Sequence, residues 1–364
     1  MGINVVGLDI GSTALRAVEL SGVNKAKPSL IHFHEIKLPP GAVVKGEVME
    51  PEIVVAALKR LWSEGKFKSK NVVLGTGDQR ILVRDMSVPK MPMKRIKESL
   101  PFQVQSMLQI PLTDSLLDFY PVSESVGEHG PMVNGLLIAA EKSVVLSNIR
   151  VVERAGLTPV EVDLLPFALN ELLIGRSEIS GTVALIDVGA NTTSIVVTID
   201  RVPRFVRIIP TGGEDLTQAL ILGLEIDADR AEELKFGMRL GPDSSTDSEN
   251  DDCSCARCLA ERNIYRDDRA IEILDVIAAE LLGSLRSTIS YFNNTWSEHP
   301  VEQILLIGGG AQLSGFAEAL GEITHIPVRH AEPIEFVAVQ RGLKGKVFQR
   351  SMTAAMGLAL WSNS

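Results

Sequence analysis

One arrangement of apolar strand and polar turn occurs twice along the chain. Residues 5–9 (VVGLD) are apolar and β-branched, Gly11, Ser12 and Thr13 have turn chemistry, and 14–20 (ALRAVEL) resumes a partly alternating strand. Half a chain later, 183–187 (VALID) runs into VGANTT at 188–193, and 194–199 (SIVVTI) forms the return. Each copy is an apolar strand ending in aspartate, a glycine turn rich in hydroxyls, and a second strand. Two such hairpins predict a duplicated lobe and not a short-period array.

Elsewhere helical and strand periodicities alternate. Apolar spacing predicts a helix over 53–62, a short buried strand at 72–74, and a helix over 93–108 that Pro101 kinks or breaks. A strand at 136–140 precedes a helix to about 155, which Gly156 caps. A strand at 205–209 leads into helices over 214–222 and 228–238. Residues 241–252 are acidic and poor in apolar side chains, the pattern of a mobile insertion. A long amphipathic helix over 271–291, a buried strand at 303–307 ending in Gly308, Gly309 and Gly310, and a small-residue helix over 352–360 complete the chain. The class is α/β, in two lobes.

Composition narrows the function. Of 364 residues, 45% are hydrophobic and 23% charged, which excludes a disordered or collagen-like chain. Lys and Arg number 36 against 46 Asp and Glu, and a net charge of −10 is wrong for a protein whose main work is gripping nucleic acid. No run approaches the ~20 apolar residues of a membrane span. The opening MGINVVGLDIG lacks the basic flank and apolar core of a signal peptide, so a cytoplasmic chain is expected. Cys253, Cys255 and Cys258 form no disulfide framework and supply three of the four ligands of a structural zinc site, for which Asp251 or Asp252 could donate the fourth; reduced thiols on a mobile loop are the expectation, with zinc the alternative. His32 and His34 share one face of a strand, and no catalytic histidine or nucleophile motif stands out.

The turns carry candidate chemistry. A glycine there lets an oxyanion approach successive backbone N–H groups, and hydroxyls add donors. An aspartate at the strand end cannot usefully touch phosphate, but it holds magnesium through water. Two facing hairpins would grip a polyphosphate from both sides, with one metal between Asp9 and Asp187. Glu232 and Lys235 share a helix face at i, i+3, which suits a ribose hydroxyl and an adenine; a solvated ion pair fits the same spacing.

In this order, hairpin, second hairpin, A-E-x-x-K helix and G-G-G loop, the chain resembles the actin/Hsp70/sugar-kinase superfamily. Within it the PilM family of actin-like type IV pilus assembly proteins, an FtsA-like branch, is the best match. The opening GLDIGS, IPLTDSLLDF at 110–119, AGLTP at 155–159, TGGEDLT at 211–217 and MGLAL at 356–360 carry the resemblance. It implies an actin-like ATPase fold of two ribonuclease-H-like lobes with an FtsA-type inserted subdomain. The first-lobe core would take 1–84, 156–186 and 341–364, and the insert 85–155. The second-lobe core would take 187–210 and 270–340, and its subdomain 211–269, including the acidic and cysteine-bearing insertion 241–262.

Position by position, the resemblance implies ATP and Mg contacts from Asp9, Gly11, Ser12, Thr13, Asp187, Gly189, Asn191 and Thr192, with Gly212 and Gly213 near the phosphates. Nucleoside contacts would come from Glu232, Lys235, Gly308, Gly309 and Gly310. Hydrolysis in the superfamily uses a Glu or Gln at the start of the helix before the second hairpin. Here that helix is expected to begin at Val162, with Leu165 in the polar residue's place. A leucine orients no water, so weak or absent turnover is expected, with nucleotide as a structural or switching ligand. The family's partner is the N-terminal cytoplasmic tail of a PilN-like inner-membrane protein, held in a groove between the first lobe and the insert. A PilO-like protein and the pilus motor ATPase would follow indirectly, and self-association is left open. The chain would thus be cytoplasmic and peripheral to the inner membrane. An FtsA-like division scaffold, a type II secretion assembly protein and a small-molecule kinase are the rival readings. The sequence ends at Ser364 without the amphipathic anchor of the first, and Leu165 argues against the last.

Overall fold

The computed structural model describes residues 5–105, 107–108, 110–128, 130–240, 268–340, 348 and 350–360. The acidic and cysteine-bearing insertion, with Cys253, Cys255 and Cys258, lies outside the described residues.

Both hairpins form. Val6–Ile10 pairs antiparallel with Ala14–Ser21, and Thr182–Val188 pairs with Thr193–Ile199. Each continues into a third antiparallel strand, Ser29–Lys37 and Val202–Ile209. A fourth strand then lies parallel to the first on its other side, Asn71–Thr76 in one sheet and Gln303–Ile307 in the other. A fifth lies parallel beyond it, Thr158–Leu164 and Val328–His330. Both sheets therefore run third, second, first, fourth, fifth, so the repeat expected from the hairpins extends to whole lobes. Ala338–Val339 adds an edge strand to the first sheet.

Parallel neighbours need crossovers, and helices supply them. Pro51–Gly65 starts with proline at its first turn and buries Val54, Val55, Leu58 and Leu61 on one face of the first sheet, the 3–4 spacing that sets an amphipathic helix. On the second sheet, Asp268–Thr295 buries Leu274, Ala278, Leu281, Leu285 and Phe292 in the same way, beside Gly213–Leu224 and Ala228–Gly237. A further core joins the lobes, where Leu172, Leu173, Leu185, Leu305, Ala355 and Met356 are buried together.

The last helix, Thr353–Leu358, is made of small residues because three backbones meet there. A Cβ on Gly7 of the first strand would lie 2.1 Å from the Ala355 carbonyl oxygen. A Cβ on Gly357 would lie 2.5 Å from that of Ala168, in the helix Leu165–Asn170.

Between the fourth and fifth strands of the first sheet the chain builds a separate three-stranded sheet. Its spatial order is Leu82–Pro89, Gly130–Glu141, Ser115–Gly127, with Met93–Gln103 packed across it. That helix ends at Gln103 and not at 108. Pro101 contributes no N–H and crowds the preceding turn, so it fits only the last turn. The helix expected from Val162 instead begins at Leu165, because 162–164 pair with Leu74, Gly75 and Thr76 as strand. His32 and His34 are half-buried. They meet Glu19 Oε2 at 3.0 Å and Glu64 Oε2 at 3.2 Å.

Candidate functional site

The two turns close alike. Gly11 N–H donates to the Ala14 carbonyl at 3.1 Å and Gly189 N–H to the Thr192 carbonyl at 2.9 Å, leaving Ser12 and Thr13, and Asn191 and Thr192, at the loop tips with side chains partly open to solvent. Asp9 and Asp187 stand where their strands enter these turns. Burial raises both carboxyl pKa values. Asp187 reaches about 7, from burial first and the Asp9 charge second, so the two acids are near enough to interact.

Arg16 holds Asp9 back from a larger shift. It is paired with Asp9 in register on the return strand; its Nη1 is 3.6 Å from Asp9 Oδ2 and its Nε donates to Glu35 Oε2 at 2.6 Å. The sequence reading missed Arg16, although a cation seven residues after the aspartate, on the antiparallel return, was its visible signal.

In the second lobe three glycine segments converge. Gly213 N–H donates to the Gly189 carbonyl at 2.9 Å and Glu214 N–H to that of Ala190 at 2.7 Å. Gly308 has φ +95°, and a Cβ there would lie 2.3 Å from the Val188 carbonyl and 2.5 Å from Asp187 Oδ1. A Cβ on Gly212 would lie 2.4 Å from the Ala190 carbonyl, and one on Gly310 would lie 2.6 Å from Val188 Cγ1. Gly309 has open space instead. Backbone thus lines this side of the cleft, as close approach of an oxyanion or a sugar requires.

Glu232 and Lys235 sit beside these loops, but as neither a solvated pair nor two free groups. Lys235 Nζ is buried and donates to the Gly213 carbonyl (3.2 Å), Thr217 Oγ1 (2.7 Å) and Glu232 Oε1 (2.5 Å). The ammonium is committed to tying its helix to the start of Gly213–Leu224, and Glu232 is the member of the pair that reaches solvent.

Two buried carboxyls at corresponding strand ends, the proton of Asp187 held also by the Asp9 charge, make a fit for a divalent ion. Among the described residues no group of three or more His, Cys, Asp or Glu could hold a metal by itself. An ion between Asp9 and Asp187 would therefore draw its other oxygens from phosphate and water, which suits Mg²⁺. Leu165 packs on the backbone of Gly75 and Gly77, where it offers no polar group. Asp163 points elsewhere, into a groove of about 380 Å³ between the first sheet and the three-stranded sheet. Its pKa rises to about 6 there, from burial first.

The family model of the type IV pilus assembly protein PilM matches residues 7–248. The chain belongs to the PilM family. The model of the cell division protein FtsA also matches, over 184–357. FtsA of Bacillus subtilis (strain 168) is 21% identical over 353 residues, covering 90% of this chain and 78% of its own. Among solved structures, a PilM–PilN type IV pilus biogenesis complex superposes with a TM-score of 0.82 at 27% identity, covering 99% of this chain and 98% of the other. MreB 5 of Spiroplasma citri bound to AMPPNP superposes at 0.53 with 12% identity, over 98% of this chain and 94% of its own. The fold is the actin-like ATPase fold, and as a PilM-family member the chain is an actin-like type IV pilus assembly protein. No helix among the described residues is long and apolar enough to cross a membrane.

Proposed function

We propose that this PilM-family protein binds ATP with magnesium between its two hairpins and, in a separate groove, the N-terminal tail of a PilN-like inner-membrane protein. The observation that carries the nucleotide reading is the repeat itself: Asp9 and Asp187 stand at corresponding strand ends of two hairpins of like pairing, burial raises both carboxyls, and the Asp9 charge raises Asp187 further. Asp9 and Asp187 would hold Mg²⁺ through water. Gly11, Ser12, Thr13, Gly189, Asn191, Thr192, Gly212 and Gly213 would cradle phosphate, and Glu232 with 308–310 would face the nucleoside, Lys235 acting from beneath by fixing Glu232 and Gly213. Bound magnesium would neutralise charge on the phosphates and on the two acids together. The AMPPNP carried by MreB 5, of the same fold, favours an adenine nucleotide.

With Leu165 at the head of its helix, the ligand would act by favouring one lobe arrangement over another and not by turnover. The division into two lobe cores, an insert at 85–155 and a second-lobe subdomain is part of this proposal. So is a cytoplasmic position held at the inner membrane through the partner, with a PilO-like protein and the motor ATPase beyond it.

The PilN tail is favoured by the PilM–PilN complex, whose PilM chain is the relative that superposes at 0.82. The groove lies between the first sheet and the insert and is walled by Leu116, Phe119, Ile138, Val162 and Phe167. A tail peptide is expected to bind the wild-type protein and to lose binding on Leu116→Arg, a change at an exposed position. Equal capture by both proteins, with and without ATP, would remove the groove from the reading.

A further inference from the structure

The first lobe carries a rim of lysines at the end of its sheet farthest from the Asp9 turn, and we propose that this rim docks on an anionic lipid bilayer. The proposal stands apart from the nucleotide and tail readings, since neither site includes a residue of the rim.

Topology gathers the rim. Val6 pairs with Val72 on one side and with Glu19 on the other, and Glu19 pairs in turn with His32. Val6–Ile10, Ser29–Lys37 and Asn71–Thr76 therefore run in one direction and begin at the same end. The segments leading into the last two, 22–28 and 63–70, meet there: the Phe67 ring lies 6.1 Å from that of His32. Together they carry Lys25, Lys27, Lys66, Lys68 and Lys70 against one acid, Glu64. The local balance is positive (5 − 1 = +4) in a chain whose net charge is −10. All five lysines are exposed. Glu64 is taken by Arg60 at 3.1 Å and His34 at 3.2 Å, and among the described residues no carboxylate pairs with any of the five.

The scaffold beneath them is fixed. Trp62 Nε1 donates to the Ser69 carbonyl at 2.8 Å, Phe67 N–H to the Trp62 carbonyl at 3.2 Å, and Thr158 N–H to the Lys70 carbonyl at 2.8 Å. Phe67 is buried against Trp62, with ring centroids 5.3 Å apart, while Lys66 and Lys68 on either side of it reach solvent. Lys66 has a second reason for its place: it closes Pro51–Gly65 in the left-handed conformation, and a cation suits the carboxyl end of a helix. Lys25, Lys27, Lys68 and Lys70 stand off any helix end.

The make-up of the rim selects among anionic partners. The ring between its lysines, Phe67, is buried, so none among them is open for a base to stack on. Its cations are lysines, point charges on flexible stems, where the planar fork of arginine would fix a single phosphate or carboxylate. Charges spread over two loops suit a plane of headgroups, whose attraction grows roughly fivefold with each lysine brought near it. Seated this way, the three strands point away from the bilayer and the Asp9 turn lies on the far side of the lobe.

The test sediments the full chain, without any partner protein, with vesicles of phosphatidylcholine alone or with about one-third phosphatidylglycerol. The wild type is expected to bind the anionic vesicles at least about tenfold more tightly at low salt, and to release them at about 0.5 M salt. Lys25→Gln with Lys27→Gln, and Lys68→Gln with Lys70→Gln, are each expected to weaken that binding by about tenfold or more, at unchanged melting temperature. Lys94→Gln with Arg95→Gln removes two exposed cations from the insert and is expected to bind as the wild type does. No preference for anionic vesicles overturns the proposal. An equal loss in all three variants overturns it as well, because net charge would then be the cause. Polyglutamate that binds while the vesicles do not would make an acidic polypeptide the occupant, and overturns it too. None of these outcomes touches the nucleotide or the tail, whose ligands are absent from the assay.

Discussion

Arg16 Nη1 stands 3.6 Å from Asp9 Oδ2 at directly paired positions of the first hairpin. The same guanidinium donates to Glu35 Oε2, so one cation serves carboxylates on both neighbouring strands. The first lobe carries its own counter-charge at the turn, whereas Asp187 feels that cation only after burial and the Asp9 charge have acted. Arg16→Ala is expected to raise the proton affinity of Asp9, and to lower nucleotide affinity by about ten- to a hundredfold if phosphate approaches the same guanidinium. Arg16→Lys is expected to recover part of that loss, since a point charge replaces a fork. Calorimetry on the three proteins checks it.

Asp187 makes the site pH-dependent. Its folded pKa of about 7 lies above its unfolded value, so the folded protein without ligand holds this proton more tightly. The stability it contributes is full below the unfolded pKa and is lost as pH rises toward 7 and past it. Asp187→Asn is expected to raise the melting temperature of the ligand-free protein at pH 8 and to flatten its pH profile. Magnesium binding needs the ionised form, so affinity for Mg-ATP is expected to fall roughly tenfold from about pH 8 to about pH 6. Melting curves with and without Mg-ATP across that range separate the two signs.

Gly308 joins a left-handed backbone to close contacts with Val188 and Asp187. Gly308→Ala adds strain and a clash together and is expected to cost at least about 2 kcal/mol in urea unfolding. Gly309→Ala, in open space, serves as the neutral comparison.

Leu165 supplies a direct probe of turnover. Leu165→Gln keeps nearly the same volume on Gly75 and Gly77 and adds a group that positions water. Phosphate release is expected to be near background for the wild-type protein and to rise in the variant. Robust wild-type turnover would assign the nucleotide a hydrolytic role.

Both hairpins were legible in the sequence because their strands are buried on both faces and their turns are bounded by glycine and hydroxyl residues. Strand order was not read from the sequence; it is fixed by the parallel pairing of each first strand with Asn71–Thr76 or Gln303–Ile307. Less legible was anything set by register or by a distant neighbour. Arg16 faces Asp9 only because 9 pairs with 16, and Lys235 is buried only because Thr217 and the Gly213 carbonyl, on another helix, receive it. Periodicity carried the helix from 93 past Pro101, where backbone sterics stop it at Gln103. The place of Asp163 on a sheet edge needed the pairing of Thr158–Leu164 with Asn71–Thr76.

Calorimetric titration of Mg-ATP into the wild-type protein and into Asp187→Ala, at pH 8, weighs the two-hairpin site most directly. One nucleotide per wild-type chain is expected, with affinity at least about tenfold weaker in the variant while its ligand-free melting temperature is unchanged or higher. Equal affinities in the two proteins, or no binding to the wild type, would contradict the assignment of the cleft between Asp9 and Asp187.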